Sequence, residues 1–543
     1  MAAAMALAAA WPAAAKDTLT IGVSQYPTSL NPAIATHVVL SYVHGMTRRP
    51  FTVYDPDWKL VCLLCVELPD RAKGTARDWT TPDGKPGMAT DYAIRTDARW
   101  GDGTPVTTQD VLFTWKLGRT PEAGFAGQET FRRMEEVVVH DDRRFTVHWN
   151  KRTCDYQGLG DFEPLPAHVE AKAAAAPQTY STQNGYDRDP TNPGLYNGPY
   201  RVVAVQPGAS ITLEPNTHWQ GTKPWFRRIT VRTIENTAAL EQNLLAGEID
   251  MISGEDGISL DQALALEARK DGRFAVVFRT GLFYEHIDLN LDNPLLADVR
   301  LRKSLLMAID REAISQRLFA GRQPVAHGQV HPDDKHHWAD APKTPYDPKR
   351  AKLLLVEAGW TQGPDGFLRT PQGERATLEL LTTAGNRTRE LVAQVLQSNW
   401  RTLGIDVRLR GEPARVMFGQ SVRERRFPGM VMFAFFSSPE NVPRTTLHST
   451  MIPTAENNWA GQNYTGYRNA AMDEALDRVE LDCAPEDQTR LWRTIQRLYA
   501  EDLPVLPLYF RANAFVLPRW LKGVTPTGHQ FPSTLWVEHW TGR

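Results

Sequence analysis

The stretch "WGDGTPVTTQDVLFTW" at residues 100–115 joins a glycine-rich turn to the start of a helix. Thr107 or Thr108 can cap that helix, because a hydroxyl oxygen accepts one of the free backbone N–H groups of the first turn. Asp110 follows within the first turn, where a carboxylate is stabilised by the positive end of the helix dipole. The apolar residues that continue the stretch predict that one face of the helix is buried.

The turn before this helix contains Trp100, Gly101, Asp102 and Gly103. The two glycines permit a tight or left-handed backbone, and the tryptophan is expected to pack against the turn. A catalytic pair formed by Asp102 and Asp110 is the alternative interpretation. Each of these acids already has a sufficient structural role, so the stretch predicts a structural turn and cap.

The chain has 543 residues, which is too long for one hydrophobic core and predicts several domain-sized units. Its content of 42% hydrophobic and 23% charged residues is typical of a folded globular protein. The formal net charge of −2 provides no basic field that would attract nucleic acid. Nucleic acid is therefore not a predicted partner.

The first fifteen residues, "MAAAMALAAAWPAAA", form an apolar run that ends in small residues. Ala13 and Ala15 fit the small-x-small cleavage pattern of a secretory signal, and the run is too short to span a bilayer. No Lys or Arg precedes the run, so an alanine-rich leader is the alternative. We predict a signal peptide at 1–15 and a periplasmic mature protein that begins near Lys16, with no cysteine there for a lipid anchor.

The sequence contains four cysteines, Cys62, Cys65, Cys154 and Cys483. In an oxidising compartment they allow one or two disulfides, but the pairing cannot be deduced from the sequence. The C-x-x-C spacing of Cys62 and Cys65 raises a redox or zinc site as an alternative. Because no second Cys/His pair stands at metal spacing, we favour buried thiols or a structural disulfide.

Strand and helix patterns alternate along much of the chain, which predicts an α/β protein. "WFRRITVRTI" alternates like a strand, "NTAALEQNLLAGEID" is typical of a helix that ends at Gly247, and "DVRLRKSLLMAIDREAISQRLF" predicts a long helix or a pair of helices.

Several phrases along the chain resemble, in order and spacing, the large solute-binding subunits of ABC importers for oligopeptides and related solutes. They are "TSLNPA" (28–33), "WGDGTPVTTQDVLFTW" (100–115), "NGPYRVV" (197–203), "AGEIDM" (246–251), "VRLRKSLLMAIDR" (299–311), "YDPKRAKLLLVEAGW" (346–360), "GIDVRL" (404–409) and "LPVLPLYF" (503–510). Together they extend over nearly the whole predicted mature chain.

The resemblance implies an α/β, two-lobe periplasmic-binding-protein fold of type II, in the large cluster that has an extra domain and closes by hinge-bending. The implied boundaries are a signal peptide at 1–15, lobe I at 16–58, 190–283 and 507–543, the extra domain at 59–189, and lobe II at 284–506. Ligand would stabilise the closed state by contacting both lobes.

The function implied by the resemblance is capture of a peptide or peptide-like solute and its delivery to ABC permease membrane subunits. The subunit is expected to be a monomer without a cofactor and not an enzyme. A non-peptide solute, such as an opine, a sugar conjugate or a metal chelate, is the alternative ligand. A periplasmic hydrolase is disfavoured because the sequence has no G-x-S-x-G, S-x-x-K or P-loop motif.

The resemblance also implies where the ligand lies. The expected ligand-binding residues are Tyr26, Thr28, Phe283, Tyr284, Phe433, Phe435, Phe436, Ser437, Ser438, Glu440, Trp459, Asn463 and Tyr464. Peptide-binding relatives usually carry an Asp at the place of Ser437 or Ser438, and its carboxylate pairs with the free amine of the peptide. Glu440 is the nearest acid here, so we expect a ligand other than an ordinary free-amine peptide. Because side chains alternate along a strand, at least one of the three phenylalanines must fill the core.

The stretch "HGQVHPDDKHHW" holds His327, His331, His336 and His337 beside two aspartates. Imidazole and carboxylate groups at close spacing can bind Zn or Ni. No HExxH helix is present and Pro332 interrupts the spacing, so we favour a solvated loop and predict no metal site.

Overall fold

The structure is a computed structural model and describes residues 16–543 except 36, 127 and 160–161. The predicted signal peptide at 1–15 lies outside the described residues. The strands are β1 (Thr18–Val23), β2 (Thr52–Tyr54), β3 (Leu60–Cys62), β4 (Ala76–Thr80), β5 (Pro86–Ala93), β6 (Met134–Val139), β7 (Arg144–Trp149), β8 (Tyr200–Gln206), β9 (Ser210–Pro215), β10 (Arg228–Thr233), β11 (Met251–Ile252), β12 (Phe274–Leu289), β13 (Thr361–Gln362), β14 (Leu368–Arg369), β15 (Thr377–Thr383), β16 (Asp406–Glu412), β17 (Met430–Phe436), β18 (Val505–Pro518), β19 (Leu521–Lys522) and β20 (Thr541–Gly542).

The helices are α1 (Val38–Thr47), α2 (Thr108–Gly118), α3 (Gln128–Arg133), α4 (Ala167–Ala174), α5 (Pro177–Gln183), α6 (Gly185–Arg188), α7 (Thr237–Ala246), α8 (Leu260–Ala268), α9 (Val299–Met307), α10 (Arg311–Phe319), α11 (Pro348–Glu357), α12 (Arg387–Thr402), α13 (Ala414–Val416), α14 (Arg444–Leu447), α15 (Ala470–Val479) and α16 (Pro485–Asp502). The predicted helix or helix pair at 298–319 is the pair α9 and α10. Within the described residues, none of these helices combines the length and the apolar character needed to cross a bilayer.

One ten-stranded sheet extends through the molecule in the order β16-β15-β17-β12-β18-β11-β1-β10-β9-β8. Its two parallel parts, β16-β15-β17 and β11-β1-β10, lie on opposite sides of the antiparallel pair β12 and β18. β12 has 16 residues and β18 has 14, longer than a typical strand. These two strands therefore connect the two halves of the sheet.

The pairing of β12 with β18 is interrupted in its middle. The register shifts between Thr280 and Tyr284, and the residues between them have no ladder partner on β18. Gly281 lies at this break, where an added Cβ would stand 2.6 Å from the carbonyl oxygen of Gly528. Only glycine fits this close backbone approach. The irregular segment marks the point at which the two halves of the sheet meet.

Separate hydrophobic cores lie on the two sides of this break. One continuous core joins residues of β1, such as Ile21, to residues of the four-stranded sheet β4-β5-β7-β6, such as Phe145. The other side contains cores around Leu380 and around Trp492, which Leu291 contacts in common. We call the body with the first core lobe I, including the four-stranded sheet, and the other body lobe II. The exact domain boundaries given above stay predictions.

The stretch at 100–115 forms the predicted turn and cap. Thr107 is the N-cap of α2, its hydroxyl accepts from the backbone N–H of Gln109, and Asp110 completes a capping box. Trp100 is fully buried and its Nε1 donates to Oδ2 of Asp110 at 3.2 Å. Asp102 accepts from the backbone N–H of Thr104 at 2.9 Å. Each predicted structural role of these residues is confirmed.

The cysteines form disulfides as the sequence allows, whereas the histidine-rich stretch differs from expectation in part. Two disulfides form, Cys62–Cys65 and Cys154–Cys483, which settles the pairing. The histidine-rich stretch is not simply solvated, because His331 is 2% exposed and its ring packs against that of Trp58. The prediction of a solvated loop failed there because aromatic residues from distant segments cover the ring. In the described part of the chain, no three His, Cys, Asp or Glu side chains gather at metal-binding distances.

We expect the stability of lobe I to fall on acidification because of His44. This residue of α1 is buried and its Nε2 donates to the carbonyl oxygen of Leu30 at 3.1 Å. Burial, with the nearby charge of Arg48, lowers its pKa to about 3. Since the unfolded chain binds this proton near pH 6.5, stability falls as the pH drops from 6.5 toward 3, by up to about 1.4 kcal/mol per pH unit. Urea unfolding of wild type and His44→Gln between pH 7 and 4 measures this; equal pH slopes in the two proteins would contradict it.

Candidate functional site

The cleft between the lobes has an aromatic floor at the break in β12. Phe283 lies in this break, and its ring is 4.4 Å from that of Phe436 at the end of β17. Phe436 is 49% exposed, whereas apolar side chains of this size are usually buried. The guanidinium of Arg511, on β18, lies 5.9 Å from the centre of the Phe283 ring. We call Phe283, Phe436 and Arg511 the cleft floor.

A buried carboxylate holds Arg511 in place. Glu285 of β12 is fully buried and accepts hydrogen bonds from Arg511 and, at 2.6 Å, from Nε of Arg389. Arg389 is at the start of α12 and also donates to Oγ1 of Thr383 at 2.9 Å. Burial raises the pKa of Glu285, but the charges of Arg511 and Arg389 outweigh burial and lower it overall. Two positive charges therefore share one negative charge at the cleft floor.

The excess positive charge is accessible through Arg511. Its side chain is 32% exposed, compared with 9% for Arg389. Among the described contacts, Arg511 donates only to Glu285, so part of its planar donor set is left for another acceptor. An arginine guanidinium recognises carboxylates with two parallel hydrogen bonds. The floor is thus suited chemically to an anionic group next to an aromatic one.

Behind the floor, a row of stacked rings extends into lobe II. His286 stacks on Tyr284 and on Phe435 with centroids 4.9 Å apart in each pair, and Tyr464 continues the row beyond Phe435 at 6.3 Å. Tyr284 is buried and its hydroxyl is 2.8 Å from that of Tyr499. Phe435 and Tyr464 are half-buried. Phe435 and Tyr464 also pack against a core cluster of lobe II.

The expected amine-binding position is neutral. Ser437 and Ser438 directly follow β17, are half-buried, and carry no charge. Glu440, the nearest acid, is paired with Lys335, whose Nζ is 2.5 Å from Oε2 of the glutamate. The backbone N–H of Glu440 donates to Asp334 at 2.6 Å. Burial raises the pKa of Glu440, an effect that Lys335 opposes and Asp334 adds to.

The predicted residues of lobe I lie on the loop after β1. Tyr26 is half-buried, packs against the lobe I core, and has a pKa raised by burial. Thr28 is exposed, with its hydroxyl 3.4 Å from Nδ1 of His37. A cavity of about 280 Å³ lies in the same lobe, lined by residues that include Pro32, His44 and Phe531. Its size approaches that of small-molecule pockets, yet no residue of the cleft floor lines it.

Three predicted ligand residues have mainly structural surroundings. Phe433 is 2% exposed and belongs to a core cluster of lobe II, as the alternation of side chains requires for one of the phenylalanines. Asn463 is fully buried, and its amide donates to the carbonyl oxygens of His448 and Tyr467. Trp459 is half-buried in a loop with a left-handed backbone at φ 59°. Phe433 and Asn463 therefore offer no free surface to a ligand.

The lobes contact each other beside the hinge, which is the break in the pairing of β12 with β18. Trp58 of lobe I packs against His331 of lobe II with ring centroids 4.8 Å apart. Arg279 pairs with Asp333 at 3.1 Å, and Arg322 pairs with Glu267 at 2.8 Å. These three contacts join residues of the two lobes in this structure.

A second interlobe contact surrounds the Cys154–Cys483 disulfide. The backbone N–H of Cys154 donates to the carbonyl oxygen of Glu480 at 2.9 Å, and Lys151 pairs with the carboxylate of Glu480 at 2.5 Å. Residues that follow β7 and residues that follow α15 thus meet at this disulfide.

Sequence reasoning did not find Arg511, Arg389, Glu285 or Lys335. Arg511 and Glu285 lie in stretches of sequence that predict buried strands. A charged residue in the middle of an apolar strand is the signal that could have identified them. Lys335 lies in the histidine-rich stretch, 105 residues before its partner Glu440, so no local pattern indicates the pair.

The sequence matches the family model described as "Bacterial extracellular solute-binding proteins, family 5 Middle" over residues 73–452. Among curated proteins, it is 26% identical over 448 residues to the oligopeptide-binding protein AppA of Bacillus subtilis, covering 80% of this chain and 78% of the relative. It is 25% identical over 535 residues to the oligopeptide-binding protein OppA of Bacillus subtilis, covering 94% and 91%.

Among solved structures, the chain is similar to the oligopeptide-binding protein of Thermus thermophilus in complex with a pentapeptide. The TM-score is 0.71 and the sequence identity is 28%, and the match covers 97% of this chain and 96% of that one. The similarity extends over both lobes and the four-stranded sheet, which confirms the predicted two-lobe fold of type II.

Proposed function

Because the chain belongs to the bacterial extracellular solute-binding proteins of family 5, the solute-binding subunits of ABC importers, we propose that its cleft captures a peptide-like solute that carries a carboxylate. The ligand lies between the lobes, in contact with the cleft floor. Relatives named for oligopeptide binding and a relative solved with a pentapeptide support the peptide-like class. The closed complex is then recognised by the permease subunits in the membrane.

We further propose that the protein acts in the periplasm, as a monomer, and that its role is binding without catalysis. The family consists of extracellular binding proteins, and both disulfides suit an oxidising compartment. The related proteins are named for what they bind. The predicted cleavage before Lys16 belongs to the same proposal.

The observation that carries the ligand proposal is the Lys335–Glu440 ion pair. A ligand ammonium buried at this side of the cleft would need a carboxylate partner, because an unpaired buried charge is costly. Ser437 and Ser438 supply only neutral hydrogen bonds, and Glu440 already has an ammonium partner. The excess positive charge at Arg511 favours a carboxylate instead. The cleft therefore selects for the acidic end of a ligand and is indifferent to a free amine.

Calorimetry with one pentapeptide in three forms tests this proposal. Acetylating the amino terminus is expected to change the affinity of wild type little, whereas amidating the carboxyl terminus lowers it. A hydrogen-bonded charge pair contributes about 1.5–3 kcal/mol, so the amide should bind about 10- to 100-fold more weakly. Arg511→Gln is expected to remove this difference, and Arg511→Lys to retain part of it.

Variants at the amine position provide the matched controls. Ser437→Asp, Ser438→Asp and Lys335→Gln each create an unpaired carboxylate, so each is expected to introduce a preference for the free amine. Glu440→Gln is expected to leave wild-type selectivity unchanged. The proposal would be contradicted if wild type bound the free peptide tightly, lost this binding on acetylation and kept it in Arg511→Gln. The amine site would then lie elsewhere.

A further inference from the structure

We propose that the Cys154–Cys483 disulfide is a redox-modified site that holds the two lobes closed, and that reduction by a dithiol releases them for ligand exchange. The inference rests on the proposed function in one respect, that the cleft between the lobes is the ligand site. It adds a chemical condition for access to that site.

The disulfide joins two bodies that have separate cores. Cys154 follows β7, whose residues Phe145, Val147 and Trp149 belong to the lobe I core. Cys483 lies in the loop between α15 and α16, whose residues Val479 and Leu491 belong to a lobe II core. The two cysteines are 329 residues apart in the sequence, and lobe II lies almost entirely between them. The bond is therefore a covalent connection between the lobes.

This connection restricts the hinge motion. The chain passes between the lobes in β12 and in β18, which are neighbours in the sheet and allow one lobe to rotate relative to the other. The disulfide adds a third attachment, where the Cα atoms are 5.2 Å apart. Disulfides keep Cα atoms within about 7 Å of each other. A rotation that would separate the lobes at Cys154 and Cys483 is thus blocked. The lobes can still twist about the line that joins the β12–β18 crossing to the disulfide.

The bond is partly accessible to a reductant. Cys154 and Cys483 are both half-buried, and the adjacent Lys151 has a side chain that is 50% exposed. Exposed disulfides are the ones that thiols attack, whereas structural disulfides are generally protected. The second disulfide differs in its position, because Cys62, which is half-buried, and Cys65, which is 2% exposed, both lie within lobe I.

The exchange requires a dithiol as its co-reactant. One thiolate of the dithiol attacks Sγ of Cys483, the bond between the two cysteines breaks, and Cys154 leaves as a thiolate that takes up a proton. The second thiolate of the dithiol then attacks the mixed disulfide, which forms the disulfide of the reagent and releases Cys483 as a thiol. Two electrons and two protons pass to the protein, and the reverse reaction closes the lobes again.

Small-angle scattering of ligand-free protein tests the proposal. We expect oxidised wild type to be compact and wild type in dithiothreitol to show a larger radius of gyration. The double variant Cys154→Ser/Cys483→Ser should show the larger radius without reductant. Cys62→Ser/Cys65→Ser is the matched control, which should stay compact when oxidised and expand in dithiothreitol. Equal radii in the oxidised and reduced states of wild type would overturn the proposal.

Two further measurements keep this test separate from that of the proposed function. Peptide mapping of oxidised protein by mass spectrometry should find Cys154 linked to Cys483, and free thiols at these positions would overturn the inference. The pentapeptide should bind the reduced protein faster than the oxidised protein, and equal association rates would also overturn it. If no peptide bound in any redox state but the radius of gyration still depended on reduction, the proposed ligand would be contradicted. The redox control of the lobes would remain supported.

Discussion

Replacing Glu285 by Gln is expected to lower the free energy of unfolding by about 3–5 kcal/mol, the range found when one member of a buried ion pair is removed. Glu285 is fully buried between Arg389 and Arg511, and Gln cannot neutralise either guanidinium. Arg511 can move partly into solvent, but Arg389 is 9% exposed and must stay. Guanidinium chloride unfolding followed by far-UV circular dichroism measures the loss.

Glu267→Gln is the matched control for this prediction. It removes the same carboxylate from an arginine pair, but Arg322 and Glu267 are exposed by 41% and 38%. Exposed pairs contribute about 0–1 kcal/mol, so this variant should unfold close to wild type. If Glu285→Gln and Glu267→Gln lowered the free energy of unfolding equally, burial would not explain the effect of Glu285→Gln. The loss in Glu285→Gln should also shrink as the pH falls below about 4.5, because the unfolded chain then binds a proton that folded Glu285, whose pKa is lowered, does not bind.

Replacing Trp100 by Ala is expected to cost about 3–5 kcal/mol, as is usual for a fully buried tryptophan. The change removes the packing of the turn before α2 and also the Nε1 donor to Asp110. Asp110 would keep its bonds from the backbone N–H groups of Thr107 and Ala167, both 2.9 Å long. Unfolding should again be followed by circular dichroism, because the variant loses a fluorescent residue.

Two variants separate the contributions at this site. Trp100→Phe retains most of the buried surface and loses only the hydrogen bond, so we expect a smaller cost of about 1–2 kcal/mol. Trp79→Ala removes a half-buried tryptophan from β4, whose ring stacks on His148, and should cost less than Trp100→Ala. Equal losses for Trp79→Ala and Trp100→Ala would show that the turn contributes no special stability.

Local features of the fold were predictable from the sequence because their partners are close in the chain. Thr107 and Asp110 cap the helix that follows them directly. The alternation along β17 correctly required one phenylalanine to be buried, and Phe433 is that residue. Such features depend on backbone geometry within a few residues, which the sequence encodes directly.

The charged and covalent features of the candidate site were not predictable in the same way. Glu285 is 104 residues from Arg389 and 226 from Arg511, so only the folded sheet brings the three together. The partner of Cys154 is 329 residues away, beyond any spacing rule. His331 is buried because Trp58 and Phe510 cover it, and neither is its neighbour in sequence.

The position of β18 has a consequence for how the protein is made. This strand is fifth in the order of the ten-stranded sheet, yet it comes from residues 505–518, near the end of the chain. The residues after it also pack on early ones, as when Oγ1 of Thr534 donates to the carbonyl oxygen of Tyr42. A nascent chain therefore lacks the middle of its sheet until almost all of it has been synthesised. Contacts of such long sequence separation form late and slowly, so we expect the ten-stranded sheet to be completed only after synthesis of the chain has ended.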